Sequence, residues 1–220
     1  AHFLEHMAFQ GTKNFPGKGI ITSLEKHGVS FGRNINAYTA QNETVYNLSD
    51  VPTNSESLLD TCLLILHDWS YYLTLEDDEI DAERGVITEE WRTRRTPQFR
   101  IQKQMFPVLF KDSKYAIRDV IGNLDVIKNF KYQTIRDFYH EWYRTDLEAI
   151  AIVGDFDVAK MEQKVKELFN PCCRKSDSPS FLRNSRTRRD VLLPGNRQRS
   201  TAIFYSDRDP VTRYSGNRKE

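Results

Sequence analysis

Apolar residues recur at intervals of three and four along much of the chain, as expected for helices that bury one face. Shorter apolar runs predict strands, with two strands or one bent strand over 35–50 and single strands at 148–156 and 200–206. Thr53 and Glu56 match the capping-box pattern that opens a helix. The predicted helices occupy residues 1–10, 20–27, 78–95, 97–110, 134–143 and 158–169. The helix opened by the capping box is predicted to have an apolar face that includes Leu58, Leu59, Cys62, Leu66 and Trp69.

The order of these elements indicates an α+β fold, because several helices follow one another between strands instead of alternating with them. We expect a mixed, mainly antiparallel sheet packed against several helices. Residues 1–206 are predicted to form one domain, in which 170–199 read as a linker because they are rich in Ser, Pro, Asn and Arg. Residues 207–220 are polar and predict a mobile tail.

The composition is typical of a soluble globular protein and narrows the classes of partner. The 220 residues carry a formal net charge of +1, which gives no reason to expect binding to nucleic acid. No apolar run is long enough to span a bilayer. The three cysteines form neither a recognisable disulfide framework nor a cysteine-type zinc motif.

The first six residues contain two histidines and a glutamate, His2, Glu5 and His6. On a helix, residues four apart lie on one face, so both imidazoles can reach one ion. Glu5 projects toward the same side, where it could take a proton from a bound water. Histidine nitrogen and carboxylate oxygen suit zinc, and HxxEH is the inverzincin order of these residues. The alternative is a solvated helix face that carries two histidines by chance.

A catalytic zinc site also needs a third protein ligand, and the segment DAERGVITEEWR offers candidates. Glu83 and Glu90 are seven residues apart, almost two helical turns, so they share a face near Ile80 and Ile87. Two carboxylates on an apolar face need compensation, either by a metal cation or by an arginine partner. Beside the HxxEH motif we favour the metal, whereas Glu89 is expected to point to solvent.

Four segments follow one another along the chain: AHFLEHMAFQGTKNFPGKGI, NAYTAQNETVYNL, ERGVITEEWR and YRTDLEAIAIVGDFD. Together they resemble the pitrilysin/insulinase family of zinc metallopeptidases, and its bacterial, periplasmic members most of all. The resemblance runs from Ala1 to about Phe169 and more weakly to Ser206. It implies a zinc-dependent endopeptidase that hydrolyses peptides or unfolded segments in the periplasm or after secretion.

The resemblance also implies a role for each candidate residue. His2, His6 and Glu90 match the three ligands of one zinc ion. Glu5 matches the general base that acts on water at the metal, and Glu83 matches an upstream glutamate that supports the site.

A short segment further along matches the edge strand that holds the peptide substrate in this family. Main-chain hydrogen bonds along such an edge bind an extended peptide by β-augmentation. For Asn36 the alternative is a turn residue at a strand end. The matching residues are Asn36, Ala37, Tyr38 and Thr39.

The position of the motif predicts that Ala1 is a cut or the first ordered residue, because chain ends fray and a ligand at residue 2 would be poorly held. The resemblance implies strands before HxxEH and further repeats after it. We therefore expect one pitrilysin-type repeat without its leading strands, with the peptide substrate and the remaining repeats as partners. Alone, it is expected to bind zinc weakly and cleave poorly.

A second function from another class is compatible with the same fold. Some relatives keep it as non-catalytic structural or peptide-binding subunits, usually with a broken metal motif. Here His2, Glu5, His6 and Glu90 are all present, which favours the enzyme.

Overall fold

The computed structural model describes residues 1–111 and 113–170, which form eight α-helices, a short 3₁₀-helix and a two-stranded antiparallel sheet. The predicted α+β fold class is therefore confirmed. Apart from residue 170, the predicted linker, the strand at 200–206 and the tail lie outside the described residues. The elements are α1 His2–Met7, α2 Gly19–Glu25, β1 Ile35–Thr39, β2 Thr44–Leu48, α3 Glu56–Tyr71, α4 Asp77–Thr93, α5 Pro97–Leu109, the 3₁₀-helix Lys114–Ala116, α6 Leu124–Asn129, α7 Tyr132–Trp142 and α8 Val158–Phe169.

Helix α1 depends on tertiary packing, because isolated helices shorter than about 12 residues are marginal in water. Leu4 and Met7 are each 1% exposed, and Ala8 at the end of the helix is fully buried. The core that surrounds them includes Ile35 from β1 and Ile80 from α4. Helix α1 is thereby fixed between the hairpin and α4.

Two side chains near the end of α3 hold the N-terminal region in place. The indole nitrogen of Trp69 donates a hydrogen bond to the carbonyl of Ala8 at 2.9 Å. The fully buried Asp68 accepts hydrogen bonds from the Thr12 hydroxyl at 2.7 Å and from the backbone and side-chain amides of Asn14 at 2.9 and 2.8 Å. The loop that follows α1 is thus tied to the core.

The start of α3 differs from the sequence prediction. Ser55 is the N-cap, and its hydroxyl accepts a hydrogen bond from the Leu58 amide at 3.3 Å. The capping box predicted at Thr53 and Glu56 is therefore wrong. Ser55 is extended and lies three residues before Leu58, which is the spacing at which a hydroxyl reaches an unsatisfied amide of the first turn.

The predicted strand region at 35–50 is confirmed as a hairpin. Asn36 of β1 lies opposite Asn47 of β2, and Thr39 lies opposite Thr44. The turn is closed by a hydrogen bond from the Ala40 amide to the carbonyl of residue 43 at 2.8 Å. The hairpin brings the end of β1 towards the buried side of α1, which it contacts.

Helix α4 packs against both α1 and α6. Its buried residues are Ile80, Glu83 and Ile87, at spacings of three and four. Glu83 and Glu90 share a face of the helix, as predicted, because His6 contacts both carboxylates. Arg84 anchors α6 and the residue that follows it, because its guanidinium donates to the carbonyls of Ile127 and Phe130 at 2.5 and 2.7 Å.

The strand predicted at 148–156 is not formed. A strand requires hydrogen bonds to a neighbouring strand, and no described residue pairs with the backbone of this segment. Two of its apolar side chains, Ile150 and Val153, are 36% and 55% exposed, so the burial expected from the apolar run is also absent.

Candidate metal centre

The three predicted metal ligands converge where α1 meets α4. Nε2 of His2 lies 3.5 Å from Oε2 of Glu90, and Nε2 of His6 lies 3.4 Å from the same oxygen. The two imidazole rings meet edge to face, with their centroids 4.7 Å apart. One ligand atom from each of the three residues therefore lies within 4.8 Å of the others.

The chemistry of this donor set fits zinc. Glu90 Oε2 is buried and has no hydrogen-bond partner among the described residues, an arrangement that is costly unless a cation compensates it. Two imidazole nitrogens and one carboxylate oxygen are a ligand set of catalytic zinc sites, which leave a fourth position open. The geometry brings the three residues together, and their role as ligands stays a prediction.

His6 is oriented by partners that approach its other ring nitrogen. Its Nδ1 lies 2.7 Å from Oε1 of Glu83, which is 4% exposed. Gln10 in turn donates a hydrogen bond to Glu83 Oε2 at 2.6 Å. A carboxylate on one imidazole nitrogen sets the tautomer and aims the other nitrogen at the metal position. By contrast, Nδ1 of His2 is buried with no hydrogen-bond partner among the described residues.

Glu5 lies on α1 between the two histidines in sequence and is 8% exposed. Its Oε2 accepts a hydrogen bond of 2.5 Å from the Thr39 hydroxyl at the end of β1. Burial raises the pKa of the Glu5 carboxyl, and the hydrogen bond from Thr39 opposes this effect. A buried carboxyl with a raised pKa beside a metal position is well suited to exchange protons.

The pKa of His2 is lowered, whereas the pKa of His6 is raised. Burial lowers the pKa of His2 from 6.5 to about 4, and the charge of Glu90 offsets only part of this. Burial also acts to lower the pKa of His6, but the hydrogen bond and charge of Glu83, together with Glu90 and Glu5, outweigh it and raise this pKa. The lowered pKa of His2 favours its neutral form, which is the form that binds a metal.

The structure places the predicted substrate strand beside these residues. Asn36 and Ala37 line a cavity of about 330 Å³ together with Glu5, His6 and other side chains. Tyr38 is 48% exposed. Asn36 is not a turn residue at a strand end but lies within β1 opposite Asn47, and its Oδ1 accepts a hydrogen bond from the Ala37 amide at 2.8 Å. Thr39, the last of the four predicted substrate-binding residues, instead donates its hydroxyl hydrogen bond to Glu5.

Two residues of the site were not predicted from the sequence, Gln10 and Arg94. Arg94 pairs with Glu90 through Oε1 at 2.6 Å, so arginine compensation and the metal-like cluster coexist on different oxygens. The spacing of four between Glu90 and Arg94 was an available signal. Gln10 follows the end of α1, and no periodic pattern indicates that it contacts α4.

The fold and the site together define an α+β domain of the metallopeptidase type, with candidate ligands in the HxxEH order. Residues 1–111 match the profile of the insulinase family, peptidase family M16, and residues 129–205 match a profile described as the peptidase M16 inactive domain. The chain belongs to the M16 family, as the sequence predicted. The segment of the second match, residues 129–205, contains neither Glu5 nor any of the three candidate ligands.

Among curated relatives, the probable zinc proteases PqqL of Haemophilus influenzae and Escherichia coli are 40% and 39% identical over 167 residues. Both alignments cover 76% of this chain and 18% of the relative, so the chain spans about a fifth of those proteins. A solved structure, the first half of the periplasmic protease PqqL from Escherichia coli, matches with a TM-score of 0.76 at 37% identity. That match covers 81% of this chain and 38% of the other. Pitrilysin shares the fold, with a TM-score of 0.65 at 22% identity over 81% of this chain and 19% of its own.

Proposed function

We propose that this chain is the catalytic part of a zinc-dependent endopeptidase that hydrolyses peptide bonds in peptides or unfolded segments. One observation carries the proposal: the buried, unpaired Oε2 of Glu90 faces the Nε2 atoms of His2 and His6. Glu5 lies one residue before His6 on the same short helix. The relatives named zinc proteases support this assignment.

In this proposal, His2, His6 and Glu90 hold one zinc ion. The bound ion supplies Lewis-acid chemistry that activates water and polarises the scissile carbonyl. Glu5 acts as the general base, accepting a proton from the attacking water and delivering it to the leaving amine. Its raised pKa favours the role of base, because a carboxylate with a higher pKa accepts a proton from water more readily.

Glu83 supports the site without contacting the metal position. Its Oε1 is engaged by His6 and its Oε2 by Gln10, so both carboxylate oxygens are held. This arrangement keeps His6 Nε2 aimed at Glu90. Partners of this kind are worth about 10- to 100-fold in metal affinity.

The substrate is proposed to bind along β1 in an extended conformation. Only one edge of β1 is paired with a strand among the described residues, the edge towards β2. Main-chain groups on the other edge can pair with a peptide, and we propose that the β1 segment of Asn36, Ala37 and Tyr38 holds the substrate in this way. In this arrangement Thr39 acts mainly through its hydrogen bond to Glu5.

The remaining partners and the location are proposed from the relatives. We propose that further repeats of the parent chain complete the substrate chamber, since the first half of PqqL forms a matching structure. We also propose a periplasmic or secreted location, because the PqqL structure is described as that of a periplasmic protease. Within the described residues, no helix combines the length and apolar character needed to cross a bilayer.

The proposal is tested by measuring zinc affinity for the chain and for Glu90→Gln and Glu89→Gln. Glu90→Gln removes a charged donor and is expected to weaken zinc binding at least about tenfold. Glu89 is the matched control, because it is 59% exposed and pairs with Arg92. Equal zinc affinity of Glu90→Gln and the unsubstituted chain would contradict the proposed metal site.

A second measurement separates catalysis from binding. Glu5→Gln is expected to keep zinc affinity and to lose peptide hydrolysis in the full-length parent protein, since Glu5 is proposed to move protons. A full-length parent that binds zinc and hydrolyses no peptide would support the non-catalytic peptide-binding alternative.

A further inference from the structure

The two carboxylate oxygens of Glu90 have different surroundings. Oε1 lies 2.6 Å from the guanidinium nitrogen Nη2 of Arg94, with which it forms an ion pair. Oε2 is buried, lacks a hydrogen-bond partner among the described residues and faces Nε2 of His2 and of His6. The ion pair and the metal position therefore use different oxygens, and one does not exclude the other.

Arg94 is itself held close to Glu90 by the main chain. It is the C-cap of α4, and its backbone amide donates to the carbonyl of Glu90 at 3.0 Å. Arg94 therefore contacts Glu90 twice. Its backbone amide binds the Glu90 carbonyl, and its guanidinium reaches back over one helical turn to the Glu90 carboxylate. Such a spacing of four lets the two side chains meet without bending the helix.

We propose that Arg94 is a positioning residue, which holds the Glu90 carboxylate so that one oxygen stays between the imidazoles of His2 and His6. The inference rests on the proposed function, because it assumes that these three residues bind the metal. A free glutamate side chain occupies many rotamers, and ordering it on metal binding costs conformational entropy. The ion pair orders it beforehand, which strengthens metal binding by pre-organisation.

The positive charge of Arg94 also acts in the opposite direction, because it repels a cation. Arg94 is 57% exposed, so solvent and salt screen its charge. The orientation of the carboxylate acts directly on the ligand atom, where screening has no effect. We therefore expect the positioning effect to exceed the repulsion.

A neighbouring ion pair provides the matched control. Arg92 binds Glu89 at 2.7 Å on the same helix, with side-chain exposures of 74% and 59%. Neither residue belongs to the candidate metal cluster. Removal of Arg92 thus tests the loss of one arginine charge and one surface ion pair near the end of α4 without touching Glu90.

The experiment compares zinc affinity, by competition with a chromophoric chelator, for the chain, Arg94→Ala, Arg94→Lys and Arg92→Ala. The visible absorption of bound Co²⁺ reports the coordination geometry independently of activity. Arg94→Ala is expected to weaken zinc binding about tenfold, in the range seen for partners of metal ligands, and to alter the Co²⁺ spectrum. Arg94→Lys should recover part of the affinity, since an ammonium can still bind one oxygen. Arg92→Ala should match the parent in both measurements.

Several outcomes would overturn the proposal. Unchanged or tighter zinc binding by Arg94→Ala would show that orientation is unimportant or that repulsion dominates, while the metal site itself would stand. An equal loss of zinc affinity in Arg92→Ala would show that the effect comes from removing a positive charge near the end of α4 and not from positioning of Glu90. Absence of metal binding by both the unsubstituted chain and the full-length parent protein would remove the proposed function together with this inference. Thermal unfolding of the metal-free variants identifies misfolding, in which case Arg94→Lys alone decides.

Discussion

Replacing Glu148 by glutamine should stabilise the folded chain at pH 8 and have much less effect at pH 5. Glu148 lines a cavity of about 470 Å³ whose wall includes Trp69 and Trp142. Its Oε1 is buried and has no hydrogen-bond partner among the described residues. Burial raises the pKa of this carboxyl from 4.5 to about 7, and hydrogen bonds from Ser70 and Tyr71 counteract only part of the rise.

The sign and size of the effect follow from this pKa. The folded chain binds the proton of Glu148 more tightly than the unfolded chain, so stability falls as the pH rises from about 4.5 to about 7. The gap between those two values corresponds to about 3 kcal/mol, at about 1.4 kcal/mol for each tenfold change in proton affinity. At pH 5 the penalty is below about 1 kcal/mol, because Glu148 is still mostly protonated when folded.

Urea unfolding at pH 5 and pH 8 measures the difference in free energy of unfolding between Glu148→Gln and the parent. That difference should grow by about 2 kcal/mol between the two pH values. Glu141→Gln is the matched control, because Glu141 is an exposed carboxylate nearby on α7. A difference that is the same at both pH values, or a less stable Glu148→Gln at pH 8, would refute the reasoning.

Two further substitutions test the region around the candidate site. Asp68→Ala should lower the free energy of unfolding in urea by about 3 kcal/mol, because it leaves the buried Thr12 hydroxyl and the Asn14 amides without their charged acceptor; a loss below about 1 kcal/mol would contradict that account. Thr39→Val should slow peptide hydrolysis by the parent protein and leave zinc affinity unchanged, since its hydroxyl binds Glu5 and no candidate ligand; a parallel fall in zinc affinity would argue against this separation.

Much of the fold could be predicted because its helices carry a periodic apolar face. Helix α4 buries Ile80 and Ile87, which lie almost two helical turns apart, and this spacing is visible in the sequence. Helix α6 has six residues and one buried apolar side chain, Ile127, too few to produce a period. The segment at 148–156 has the composition of a strand, but composition does not supply the neighbouring strand that pairing requires.

The candidate site likewise has a part that the sequence predicts and a part that it does not. His2, His6 and Glu90 can be proposed as ligands from the sequence because each motif lies within one helix, where spacing determines the face. The contacts that orient them connect residues far apart in sequence: Gln10 and Glu83 are separated by 73 positions, and Glu5 and Thr39 by 34. No local pattern encodes such pairs, because they depend on how α1, α4 and β1 pack.

The position of the candidate ligands on two helices has a consequence for the folding of the chain. His6 and Glu90 are 84 positions apart (90 − 6), yet Glu90 Oε2 lies 3.4 Å from His6 Nε2. A cation shared by them would act as a reversible crosslink that closes a long loop between α1 and α4. At 100 times its dissociation constant, such a ligand adds about 2.7 kcal/mol to the stability of the folded state. Chelation would therefore loosen the N-terminal helix as well as empty the site, which links the protein's resistance to unfolding to the metal supply around it.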